Sequence, residues 1–226
     1  MIAGLNKLDD QYVPLQIKVF TRWVQNNLQD VKGVEVNDIT KDLSNGVALV
    51  ELAQILTKKP APRNWVRQPE RSVDMVQNCE LALNMFTNDG VRFVNMSGKD
   101  IKDNNEKLCL GLIWTLILHY QIGKVVPGNT DGVQSKGTNI SDARKEQELY
   151  SWAVERTSSY SNIQNCQPYD LSMCALLDSY VPDKINYNEL DPNNSEENAK
   201  LATKTMEELG IPVYVYPDEL QENNNS

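Results

Sequence analysis

With 226 residues, 40% of them hydrophobic and 23% charged, the chain reads as a soluble globular protein with room for one large domain or two of about 100 residues. Its net charge of −9 is uneven: residues 1–128 carry 15 Lys/Arg against 14 Asp/Glu, residues 129–226 carry 7 against 17. That acidic second half excludes nucleic acid as a partner, since phosphates would repel it, and points any docking on an acidic surface to the first half.

The first predicted element covers 13–29, where Val13, Ile17, Phe20, Val24 and Leu28 recur at three- and four-residue steps and line one helical face beside Trp23. Pro14 is tolerated in a first turn. Residues 31–45 read as a loop ending in the turn Asp42-Leu43-Ser44-Asn45-Gly46, and a second helix is expected over 47–56 with Leu49, Leu52, Ala53 and Leu56 inward. Residues 58–69 hold three prolines and four basic residues, the composition of an exposed irregular connection. A third helix is predicted from an N-cap at Ser72 to the stop Asn88-Asp89-Gly90. Residues 91–96 should be extended without a partner strand, and Ser97 should cap one turn reaching Ile101. The last helix of this half, 104–122, is apolar all the way round over LCLGLIWTLIL, which places it in the middle of its domain.

Residues 123–141, with four glycines and Pro127, read as a linker. Helices are then predicted over 143–158 with Leu149, Trp152 and Ala153 inward, over 169–180 up to Val181-Pro182, and over 195–209 closed by Gly210 with Pro212 beyond. The order of elements in the first half is repeated about 125 residues on, which is domain duplication rather than a solenoid.

Chemistry is sparse. Cys79, Cys109, Cys166 and Cys174 form no C-x-x-C pair and read as small buried hydrophobes in a reducing compartment. The single histidine, His119, ends the apolar helix and is expected to be structural. No phosphate-binding glycine loop and no H-E-x-x-H pair occurs, so neither catalysis nor a metal nor a cofactor is expected. The first ten residues lack the apolar stretch of a signal peptide, and the longest apolar run, 108–118, is about half a membrane span. The sequons at Asn95, Asn139 and Asn193 are accordingly chance matches.

The segment 93–122, FVNMSGKDIKDNNEKLCLGLIWTLILHYQI, resembles a signature of actinin-type actin-binding domains, with Asp103, Asn105, Lys107-Leu108, Leu110-Gly111-Leu112 and Ile113-Trp114-Thr115 matching. Val19-Phe20-Thr21-Arg22-Trp23 is similar to that family's opening helix, with Gln25 standing where the pattern has Asn, and residues 42–49 resemble its D-L-x-x-G-x-x-L turn. The wording looks most like filamin, then α-actinin and β-spectrin. The resemblance implies an all-α fold of two calponin-homology domains, 15–124 and 143–220, joined by a Gly-rich linker at 125–142 and ending in a polar tail at 221–226. In the second domain Tyr187, residues 209–212 and residues 217–219 match, Asp170 stands near a family Gly, and the counterpart of the 104–122 helix is not evident.

The implied function is that of a non-catalytic module holding a cytoskeletal cross-linker to filamentous actin, in the cytoplasm, at the actin cytoskeleton and cell cortex. This chain would be monomeric within a dimeric parent. Family contact surfaces map to Lys18, Arg22 and Gln25, to Lys58, Lys59, Arg63, Arg67 and Arg71, and to Lys107, Gln121 and Lys124. Reversing Arg63, Arg67 and Arg71 would then weaken binding without lowering the melting temperature. Trp114 is expected in the core or against the second domain, and Glu189 takes the place of a lysine that in some relatives closes on that Trp. The alternative is a signalling or membrane scaffold that binds phosphoinositides or an adhesion receptor tail.

Overall fold

A computed structural model of the chain describes residues 13–122, 142–163 and 171–219, and every regular element among them is helical. The chain divides into two compact units, one over Leu8–Gln121 and a second from Ile122 onward. The first contains α1 (Val13–Leu28), α2 (Val47–Thr57), α3 (Ser72–Thr87), α4 (Gly98–Lys102) and α5 (Glu106–Ile117). The second contains α6 (Asp142–Thr157), α7 (Leu171–Tyr180), a 3-10 turn (Tyr187–Glu189) and α8 (Ser195–Glu208).

In α1 the buried face comprises Leu15, Gln16, Phe20, Thr21, Trp23, Val24 and Leu28, so Trp23 belongs to the core rather than to its flank. Packing of α2 on α3 dictates how α2 begins. Gly46, its N-cap, has φ +73°, and a Cβ there would lie 2.5 Å from the Asn78 Cβ and 2.6 Å from the Cys79 nitrogen of α3. Only glycine satisfies both conditions. The N-cap of α3 is Arg71 and not Ser72; it makes no side-chain cap, and Asp74 supplies the negative charge favoured in a first helical turn. At α4 the capping box is complete, Ser97 with Asp100, and the helix runs one residue beyond Ile101. The Gly98 N–H donates to Glu80 Oε1 at 2.6 Å, fastening α4 to α3.

The apolar helix starts later than predicted, at Glu106, because Asn105 is its N-cap and accepts from the Leu108 N–H. Past Ile117 the winding loosens into a π-helical turn, Leu118–Ile122. Cys109, Leu110, Leu112, Ile113 and Leu116 are buried. Leu108, Gly111, Trp114 and Thr115, however, form a half-exposed strip. Enclosure on every side was the wrong inference from an apolar sequence: neighbours cover the larger part of α5 and leave one stripe open.

The second unit copies the first in detail. Gly90 (φ +98°) and Gly210 (φ +70°) end α3 and α8 in the left-handed conformation. Val91 N–H donates to the Phe86 carbonyl at 3.1 Å, and Ile211 N–H to the Met206 carbonyl at 2.8 Å. Asn78 and Asn198, twelve residues before each glycine, are both buried. Even the fourth helix is announced twice: Ser97 N–H donates to Asp100 Oδ2 at 2.9 Å, and Tyr216 N–H to Glu219 Oε2 at 3.0 Å. The core gathers Leu171, Cys174, Ala175, Leu177, Ile185, Tyr187 and Ala202. Leu149, Trp152 and Ala153, expected inward, are only half-buried. Among the described residues nothing in the second unit corresponds to α5.

Cys79, Cys109 and Cys174 are buried free thiols; Cys166 lies outside the described residues. Burial pushes the Cys79 thiol up to about 12 and that of Cys109 up to about 11. Since the thiolate is the reactive species, both should resist iodoacetamide at neutral pH in the native chain and react once urea unfolds the first unit. Labelling at the native rate of an exposed thiol would contradict their burial.

Candidate functional site

The cations of the first unit lie on a framework that the sequence does not announce. The segment between α2 and α3 is pinned from both sides. Asn78 of α3, fully buried, accepts from the Val66 N–H at 2.9 Å and donates to the Val66 carbonyl at 2.8 Å and the Asn45 carbonyl at 3.2 Å. Gln77 donates to the Asn64 carbonyl at 2.6 Å, and Gln54 of α2 accepts from the Ala61 N–H at 3.1 Å. An irregular connection predicted from its prolines is therefore held in one conformation.

Its basic residues differ in what they touch. Lys59 pairs with Asp89 at 2.6 Å, and Tyr120 donates to the same carboxyl at 3.0 Å. Burial alone would raise the Asp89 pKa; the bonds from Lys59 and Tyr120 outweigh it and bring it below the usual carboxylate value. Arg67 lies over the Trp65 ring, 5.0 Å from its centroid. Arg71 engages Asp74 through two bonds, at 2.8 Å and 2.7 Å, and its hydrogen bonds hold the Asp74 carboxyl below the ordinary range. Reversing Arg71 would put two carboxylates together at the start of α3, so the expectation of an unchanged melting temperature does not extend to it. Lys58 (φ +56°), Arg63 and Lys107 are exposed and form no ion pair among the described residues.

The remaining candidates are divided. Lys18 is exposed and Arg22 half-buried on α1. Gln25 donates to the Val36 carbonyl at 2.7 Å and so fastens the loop after α1. Gln121 accepts from the Trp23 indole N–H at 2.5 Å, joining the π-helical turn to α1. Both glutamines are exposed yet committed to the fold, a role hidden from sequence because their partners are 11 and 98 residues away. Lys124 lies outside the described residues. Trp114 is half-buried and stacks on Phe20, with ring centroids 6.1 Å apart and planes at 17°. Glu189 is exposed in the 3-10 turn of the second unit. His119 meets the Tyr120 ring edge-on, with centroids 4.7 Å apart.

Among the described residues no group of His, Cys, Asp or Glu is placed to hold a metal, and no helix is long and apolar enough to cross a membrane. Fold and surface thus define a class: a duplicated all-helical protein whose first unit exposes Lys58 and Arg63 on an ordered segment and Lys107 on α5. The model of the calponin homology (CH) domain matches residues 15–122 and again 143–226, and the chain belongs to that family. It is similar to Interaptin of Dictyostelium discoideum, 31% identical over 220 residues, which cover 95% of this chain and 12% of that protein. Alpha-actinin-like protein 1 of Schizosaccharomyces pombe is 31% identical over 210 residues, 90% of this chain and 32% of that one. Filamin-A of Drosophila melanogaster is 31% identical over 220 residues, 96% and 10%. The chain thus spans a third or less of these relatives' lengths. Its fold is also that of the crystal structure of the actin-crosslinking core of Schizosaccharomyces pombe fimbrin, with a TM-score of 0.64 at 21% identity over 93% of this chain and 45% of that one.

Proposed function

We propose that the chain is the actin-filament-binding module of a cytoskeletal cross-linking protein, working in the cytoplasm on the actin cytoskeleton. The observation that carries this reading is the tandem of CH domains. It is shared along nearly the whole chain with proteins named as alpha-actinin-like and filamin. No step of catalysis is assigned to it. The first unit makes the main contact, since the free cations Lys58, Arg63 and Lys107 lie there while residues 129–226 carry 7 basic against 17 acidic residues. One such module holds one filament, so cross-linking requires a second copy in the assembled parent.

Cosedimentation of the 226-residue chain with actin filaments tests the reading, with flotation on phosphoinositide vesicles alongside it. Pelleting with filaments is expected, and flotation without pelleting would instead favour a membrane scaffold. The triple variant Lys58→Glu, Arg63→Glu, Lys107→Glu should weaken binding on the order of tenfold while the thermal melt stays put, since exposed charges contribute little to folding. Reversing Lys184 and Lys204 in the second unit should leave binding unchanged. Raising salt from about 50 to about 200 mM should weaken it, because the reach of exposed charges shortens with ionic strength, to about 10 Å at 0.1 M and about 8 Å at 0.15 M. Equal losses from both variants would remove the first unit's special role.

A further inference from the structure

Asn45-Gly46 is the one Asn-Gly pair in the chain, and it forms the turn that leads into α2. An asparagine amide is attacked most readily by the backbone nitrogen that follows it when the next residue is glycine. Glycine has no Cβ to hinder the approach and leaves the backbone free to turn. The electrophile is in place. Asn45 is exposed, and its Oδ1 accepts from the Val47 N–H at 2.8 Å, which folds the side chain over the Gly46 backbone and polarises the amide carbonyl. Its Nδ2, the group that must leave, has no partner among the described residues.

The nucleophile is restrained. The Gly46 N–H donates to the Leu43 carbonyl at 2.9 Å. At the other edge of the same peptide plane, the Asn45 carbonyl accepts from Asn78 Nδ2 at 3.2 Å. Attack on Cγ requires that plane to rotate, which breaks both bonds. Gly46 also has little room to shift toward α3, since an added Cβ would lie 2.6 Å from the Cys79 nitrogen. Asp89-Gly90 is the contrast in the same unit. There the side chain itself is disabled: Lys59 at 2.6 Å and Tyr120 at 3.0 Å hold it as a carboxylate, a poor electrophile.

We propose that Asn45 is a site of spontaneous covalent modification that Asn78 holds in check. When the turn opens locally, the Gly46 nitrogen attacks Asn45 Cγ. The N–Cγ bond forms, the Cγ–Nδ2 bond breaks, and the amide proton leaves with Nδ2 as ammonia. Water then opens the cyclic succinimide at either carbonyl, giving aspartate or isoaspartate. No enzyme, oxidant or cofactor takes part. Aspartate keeps the main chain and an oxygen for the Val47 N–H, so the fold survives. Isoaspartate adds a methylene to the main chain where Gly46 is wedged against α3, so α2 cannot return to its place. This inference is independent of actin binding.

The test ages the 226-residue chain at mildly alkaline pH and follows Asn45 by peptide mapping and enzymatic methylation of isoaspartate. Slow conversion is expected in the native chain, and conversion at least about tenfold faster in urea-unfolded chain and in Asn78→Ala, because both release the turn. The wild-type rate should already climb in urea below the unfolding midpoint, a readout that does not need Asn78→Ala to fold. The isoaspartate form should melt at a lower temperature than the fresh chain. Asn45→Asp should melt with the wild type, and Asn45→Gln should abolish the reaction at this position. Equal rates in native and unfolded chain, no conversion at Asn45 even in urea, or an isoaspartate form as stable as the fresh chain would overturn the proposal. So would isoaspartate that gathers at Asp89 in place of Asn45.

Discussion

Alanine at Gly46 should melt the first unit at a temperature lower by about 10–20 °C, corresponding to about 2–5 kcal/mol. Two costs add. The residue has φ +73°, where a side chain meets its own backbone. Its Cβ would also stand 2.5 Å from the Asn78 Cβ and 2.6 Å from the Cys79 nitrogen, and the latter is helix backbone that cannot swing aside. Gly33 is the control, with φ +79° and nothing within 4 Å of its would-be Cβ. Gly33→Ala should cost only the left-handed strain, about 1–2 kcal/mol. Circular dichroism melts of both variants make the comparison, and equal losses would mean that α2 and α3 are farther apart than described.

Asn78→Ala should cost about 2–4 kcal/mol, because three hydrogen bonds go at once and their backbone partners stay behind without them. The effect should reach function at temperatures where the unit remains folded. Val66 lies in the segment that carries Arg63 and Arg67, so filament affinity should fall although no cation has been removed. Asn78→Asp separates the contributions further. A carboxyl at this fully buried site has its pKa raised above the unfolded value, so the variant is most stable below about pH 4 and loses stability as pH rises. A variant as stable at pH 8 as at pH 4 would show that water reaches Asn78.

Helix periodicity, the glycine stops and the duplicated order could all be read from the chain, because each is a local pattern or a repeat of one. The start of α3 was misplaced by one residue because Ser72 is a favoured cap type, whereas the helix begins at Ser72 itself, with the Arg71–Asp74 pair across its first turn. The candidate surface was legible as a cluster of basic residues and not as a geometry. Which cations are free depended on carboxylates elsewhere in the fold: Asp89 takes Lys59 from 30 residues away.

By itself, then, the sequence determined an all-helical duplicated chain with most of its basic residues in the first half, since periodicity and charge need no knowledge of contacts. Tertiary structure alone decided the rest. It gave Gln25 and Gln121 structural partners, left one stripe of α5 uncovered, and ordered a proline-rich segment around Asn78. Each of these outcomes depends on which backbone or side chain arrives from a distant part of the chain, and local pattern carries no record of that.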